Sequence, residues 1–344
     1  MIKFLNKYKK FLIMISFAYL YLVALFLVPS GYALNTPGEI MSVDNDLYNI
    51  EDVEFSNNFN TVSVYSWHEL SIFQKWLVQS NSRYDLYKQT KLQENLSMSD
   101  VNKRGKISKE ASHQLAIITA YENAMKVNSE ITIDYDFKGL YVYTNFGKYA
   151  NIGSLVVAVD DLSLIDNPNL TYEELYFETL LLVGDDTYQR KQKMTITLET
   201  GQTFNLDYKE NEFMSFYPKF EIKDTSPKYN EDLDNRNVGG PSGGMIQALS
   251  IYTALLNIDL DNKIIAGTGT IDLINNYTIG NIGGIVQKYY TVLENNVDIF
   301  IIPSRQYDEI KDYINHDRIT VITANNFVEL IAEIQLLKES SSND

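Results

Sequence analysis

The chain has 344 residues, a formal net charge of −16, a pI near 4.7 and no cysteine. So acidic a surface does not suit a phosphate backbone and excludes nucleic acid as a partner. The missing thiols exclude disulfides and a lipid-attachment cysteine.

Lys3, Lys7, Lys9 and Lys10 precede a charge-free, mostly apolar run of 18 residues from Phe11 to Val28, which meets the lower limit for a transmembrane helix. The basic flank should stay in the cytoplasm. Beyond Pro29 and Gly31 come Asp44, Asp46, Glu51 and Asp52, so residues from about Leu34 onward are expected outside the cell. Gly31-Tyr32-Ala33 also offers the small residues that a signal peptidase reads, with cleavage after Ala33. The length of the run favours an uncleaved anchor, and both readings export the rest of the chain. No second apolar run of membrane length follows, which makes the chain single-pass at most.

Glu94 to Asn102 is polar and reads as a loop. Gly105 to Val127 reads as a helix, with Ala111, Leu115, Ile118, Tyr121 and Met125 on one face available for burial. Gly139 to Thr144 reads as a strand, and Tyr149 to Asp161 as a turn, a strand and an acidic turn. A helix is expected from Tyr172 to Val183, then a hairpin of 193–199 and 202–206 around Thr200-Gly201. This order resembles a PDZ domain, in which a chain end adds to an exposed sheet edge. The short carboxylate-binding loop of that family has its nearest counterpart in Asp136-Phe137-Lys138-Gly139-Leu140. A structural β-domain that spaces the C-terminal part from the membrane is the competing reading.

The most informative stretch is Gly239-Gly240-Pro241-Ser242-Gly243-Gly244, followed 46 positions after its serine by Lys288 in Gly283-Gly284-Ile285-Val286-Gln287-Lys288. A serine needs a proton acceptor to attack a carbonyl. The three histidines, His68, His113 and His316, all lie far from Ser242 in sequence, and lysine is a known alternative base. To act so, Lys288 must be neutral, which requires desolvation or a nearby positive potential. Ile282, Ile285 and Tyr289 supply an apolar setting, and Ile285 to Leu293 reads as a helix that opens at the glycine pair. The serine loop runs into a buried helix from Met245 to Leu256, whose first N–H groups suit an oxyanion. Two other readings of the glycine loop stand beside this one: close backbone packing, and a phosphate cradle. No Walker A pattern occurs, so no ATPase module is indicated.

Gly-Pro-Ser-Gly-Gly, then Gly267-Thr268-Gly269-Thr270-Ile271, then Gly280-Asn281-Ile282-Gly283-Gly284 with Lys288 together resemble the proteolytic domain of Lon-type serine-lysine proteases, over about 100 residues from Phe216 to Val321. The strand Val297 to Pro303 belongs to the same likeness. The resemblance implies Ser242 as nucleophile, Lys288 as general base, and Thr268 as a hydroxyl that orients the lysine. Gly240, Pro241, Gly243 and Gly244 would form the oxyanion loop. Gly239, Gly243 and Thr270 depart from the common pattern, which has an aspartate, an alanine and a glutamate there.

The expected class is α+β: an N-terminal transmembrane helix (1–33), a mixed region (34–129), a PDZ-like β-rich domain (130–212), a Lon-type α/β proteolytic domain (213–338) and a disordered tail (339–344). The whole order resembles membrane-anchored PDZ-Lon proteases of Gram-positive bacteria. That implies an ATP-independent serine endopeptidase with no cofactor and no metal, at the outer face of the cytoplasmic membrane. Its partners would be protein or peptide substrates, including small membrane proteins, and copies of itself, since Lon-type domains assemble in rings. The alternatives are an inactive scaffold that binds chain ends and a phosphate- or nucleotide-binding α/β protein.

Overall fold

The computed structural model describes residues 2–43, 49–55, 58–90, 96–145, 150–183, 193–207, 214–230, 241–261 and 263–341. Contacts divide the chain into two units, one of 1–39, 63–95 and 284–291, the other of 40–62, 96–283 and 292–344. The described part is a mixed α+β structure with β-rich sheets and an N-terminal apolar helix.

In the first unit, helix α1 (Ile2–Leu27) carries a 20-residue span, Tyr8–Leu27, with mean hydropathy 2.2 and no burial against the protein. Such a helix is about 30 Å long, which matches a bilayer's hydrocarbon thickness. The chain then enters strand β1 (Tyr32–Ser42), and β2 (Asn58–Trp67) and β3 (Asp85–Lys88) follow. β1 pairs antiparallel with β3, setting Ala33 against Tyr87 and Leu34 against Leu86. Between β2 and β3, helix α2 (Ile72–Val78) opens with a capping box: the Ser71 hydroxyl accepts from Gln74 N–H, and the Gln74 side chain accepts from Ser71 N–H at 2.8 Å. The start of helix Ile285–Glu294 also belongs here, tied by Gln287 Nε2 to Arg83 O at 3.3 Å and by Gly38 N–H to Thr291 Oγ1 at 2.9 Å.

The second unit is built around helix α3 (Met98–Met125). It starts earlier than expected: Ser97 caps it by accepting from Asp100 N–H at 3.1 Å, so residues 98–102 are helical and not loop. Ala111, Leu115, Ile118 and Tyr121 are buried as expected, while Met125 is 42% exposed. Ala116, Ile117, Thr119 and Ala120 are buried as well, because α3 packs on an antiparallel sheet and on a second helix at once. That sheet comprises β4 (Thr132–Asn145), β5 (Leu155–Val159), β6 (Lys193–Leu198), β7 (Thr203–Asp207) and β8 (Met214–Ser226), in the order β8-β4-β5-β6-β7. Helix α4 (Tyr172–Val183) joins β5 to the β6–β7 hairpin. Asp136 to Leu140 lies inside β4, where Lys219 faces Gly139 and Phe220 faces Phe137, so this segment is not a loop. β8 pairs with β4 along nearly its whole length.

The second helix is α5 (Gly244–Leu255), with Met245, Ile246, Leu249 and Ile251 fully buried. β9 (Ile264–Gly267), β10 (Thr270–Ile271), β11 (Ile279–Gly280), α6 (Ile285–Glu294), β12 (Ile299–Pro303), β13 (Thr320–Ala324) and α7 (Phe327–Ser341) follow. β13, β12, β9 and the first half of β2 form a parallel array in that order, with Ala266 between Phe300 and Asn60. The β2 contribution was not expected from the sequence. Its signal is the run Thr61-Val62-Ser63-Val64, in which two hydroxyl residues alternate with two valines in the manner of a half-buried strand.

Candidate active site

Ser242 sits half-buried in a 3₁₀ turn, Pro241–Gly243, that runs straight into α5. Gly239 and Gly240 lie outside the described residues. The Ser242 carbonyl accepts two bonds from the segment after β9, one from Gly269 N–H at 2.8 Å and one from Thr268 Oγ1 at 3.1 Å. Gly269 O in turn accepts from Met245 N–H at 3.1 Å, and Thr268 N–H donates to Ile301 O in β12 at 2.9 Å. The serine's backbone is therefore anchored to the end of the parallel array. Thr268 is fully buried. Its one hydroxyl proton goes to Ser242, which leaves the oxygen lone pairs as acceptors.

The glycines after the serine meet protein at close range. A Cβ on Gly244 would lie 2.8 Å from Ser112 Oγ and 3.0 Å from Ile271 Cγ2, and one on Gly243 would lie 3.0 Å from Thr61 Cγ2. These contacts match the packing reading of the loop. Ser112, which sequence reasoning missed, also donates to Pro241 O at 3.3 Å from α3. The first four N–H groups of a helix have no partner within it; of those in α5, Met245 N–H is taken by Gly269 O, and in the turn ahead of the helix Pro241 brings no N–H at all.

Lys288 stands in the other unit, in the first turn of α6, its N–H bonded to Gly284 O at 2.9 Å. Gly284 has φ +69°, a left-handed conformation that favours glycine, and so sets where α6 starts. The lysine is 2% exposed, beside Ile285 and Tyr289, which are also buried. Burial pushes its pKa down from the ordinary 10.5 to about 7, because an ammonium removed from water loses its hydration.

The loop ahead of α6 is held by a residue that no motif flagged. Gln306, 3% exposed, accepts from Ile282 N–H at 2.8 Å and donates to Ile282 O at 2.9 Å. Its distance of 24 positions left no local signal. Thr270 faces Gly280 in the β10–β11 ladder, where its side chain occupies the place of a glycine Cβ.

Of the histidines, His113 is buried and lies 2.6 Å from Tyr229 OH through Nε2. Burial, with a smaller effect of Lys109, lowers its pKa to about 4, so it is neutral at physiological pH. His68 and His316 are exposed. Among the described residues no group of three or more His, Cys, Asp or Glu is placed to hold a metal.

No protein-family model matches this chain. A stretch of 97 residues is 33% identical to Lon protease 2 of Bacillus subtilis (strain 168). The likeness to a Lon protease is confined to that stretch. The match covers 28% of this chain and 17% of that protein, so the chain spans less than a fifth of the relative's length.

Proposed function

We propose that this protein is a membrane-anchored serine endopeptidase that works without ATP on flexible or membrane-associated protein segments at the outer face of the cytoplasmic membrane. Ser242 is the nucleophile and Lys288 its base. The observation that carries the reading is Lys288 itself: a lysine 2% exposed, lowered to about 7, in a chain partly related to a Lon protease. A buried lysine without such a role is costly, and a base is most effective when its pKa lies near the working pH.

In this mechanism neutral Lys288 takes the Ser242 hydroxyl proton as Oγ bonds to the peptide carbonyl carbon. The tetrahedral oxyanion is met by N–H groups at the start of α5, with Pro241, Gly243 and Gly244 shaping the turn ahead of it. Collapse expels the amine, which receives the proton from the lysine. Water then hydrolyses the acyl-enzyme, with the same lysine as base. Thr268 would orient the lysine, in keeping with the resemblance, while its hydroxyl proton holds the serine backbone. The PDZ-like segment and ring assembly are parts of the same proposal, as is an extracellular catalytic part.

The test is incubation of the full-length chain in lipid vesicles with an unstructured protein, without nucleotide, beside a Ser242→Ala control, with new termini read by mass spectrometry. Cleavage absent from the control supports the proposal. No cleavage by the parent chain from neutral to alkaline pH, with folding intact, rejects it in favour of a non-catalytic scaffold.

A further inference from the structure

Helix α2 is seven residues long, five of them apolar, yet none is buried: Ile72 is 41% exposed, Trp76 63% and Leu77 55%. At 100° per residue, Ile72, Phe73, Trp76 and Leu77 fall within an arc of about 140° on one side, with Gln74 and Lys75 on the other. An apolar face of this kind needs a cover, and the structure indicates which one. α2 is joined to the outer end of α1. Ile72 N–H donates to Val28 O at 3.2 Å, Ser30 N–H donates to Leu70 O at 2.8 Å, and the Phe26 and Phe73 rings lie 4.5 Å apart between centroids. Phe73 in turn lies 6.1 Å from Trp76.

Phe26 is one residue from the end of α1. A side chain in contact with it therefore sits at the level where a helix spanning the hydrocarbon meets the headgroups. Tryptophan is enriched at that level because its indole body is apolar and its N–H is polar. Lys75, whose ammonium lies 3.5 Å from the centroid of the Tyr32 ring, points away from the apolar arc.

The geometry points to α2 as an interfacial membrane foot, with Ile72, Trp76 and Leu77 inserted among the lipid headgroups and upper acyl chains beside the anchor. This rests on the reading of α1 as a membrane anchor. Its consequence is that the chain beyond α1 is held against the bilayer surface at two points, which confines its reach to segments close to the membrane.

The chain has two tryptophans, Trp67 and Trp76, so Trp67→Phe leaves Trp76 as the only indole reporter. The full-length variant is reconstituted in phosphatidylcholine vesicles whose acyl chains are brominated near the headgroup end, near the methyl end, or not at all. The expected result is a blue-shifted Trp76 emission quenched at least twofold by the shallow bromines and less by the deep ones. Leu77→Lys should weaken that quenching. Water-like emission without quenching, in chains whose α1 resists alkaline extraction, overturns the proposal while the anchor stands. So does a blue shift that depends on protein density and not on bromine, which identifies a protein as the cover. Release of the chain by alkaline extraction refutes the anchor and the foot with it.

Discussion

Thr268 donates its hydroxyl proton to the carbonyl of Ser242 at 3.1 Å, across 26 positions of sequence. This bond and the neighbouring one from Gly269 fix the serine turn to the end of β9. Thr268→Val keeps the shape and removes the donor, at a cost of about 1 kcal/mol, the usual net worth of one hydrogen bond. Thr268→Ser keeps the donor and should restore most of the lost cleavage rate. Urea denaturation and peptide turnover measured side by side separate the two effects. Equal turnover in all three proteins would show that the threonine hydroxyl has no part in the reaction.

Lys288 provides a pH prediction with a definite sign. Its folded pKa of about 7 lies below the unfolded value of 10.5, so between these the unfolded chain binds more protons. Stability from this group therefore rises with pH across about 7 to 10.5, and the cost of burying the ammonium is fully present below 7. Lys288→Met should be more stable than the parent at pH values below this window, with the advantage shrinking as pH rises through it. Cleavage should climb through neutral pH in the parent and vanish in the variant.

Lys288→Arg asks a separate question. A guanidinium stays charged at any working pH, so it cannot act as base and also meets the burial penalty without relief. Turnover should drop by about a thousand-fold or more, the scale on which losing one member of a catalytic group is felt. Cleavage that survives this change would remove Lys288 from the mechanism.

Gly244→Ala would bring a Cβ within 2.8 Å of Ser112 Oγ and 3.0 Å of Ile271 Cγ2. Overpacking of this kind costs about 1–3 kcal/mol. Ser112→Ala removes the nearer contact, so the double variant should lose less stability than the sum of the single losses. Strict additivity in the denaturation midpoints would show that the two positions do not compete for the same space.

Gln306→Leu leaves the N–H and C=O of Ile282 without their side-chain partner. A fully buried group stranded in this way costs about 1–3 kcal/mol, and the half-buried Ile282 groups cost less. Faster amide exchange at Ile282 and its neighbours is the direct readout. Unchanged exchange would mean that the loop holds itself.

Several elements were legible one at a time. The apolar run of α1, the helix α4, the mostly apolar α5 behind its glycine turn, and the Thr200-Gly201 hairpin follow from spacing and composition, since each records how much of one element faces water. The start of α3 at Met98 was written locally, in the Ser97 cap three residues before Asp100. Two other errors share one cause: the all-round burial of α3 depended on having neighbours on both sides, and the strand at 58–67 on β9 lying beside it. Each reflects a partner that local pattern does not name.

The sequence by itself determined the candidates: a serine at the start of an apolar helix, a lysine after a glycine pair, an apolar helix of membrane length and an acidic remainder. The tertiary structure decided what surrounds them. Ser112, Thr268 and Gln306 take on their roles through bonds to residues 129, 26 and 24 positions away, and only folding brings such residues together. The same holds for Lys288. Its spacing is written in the chain, but its pKa depends on the water that folding removes, and burial is a property of the whole packed molecule.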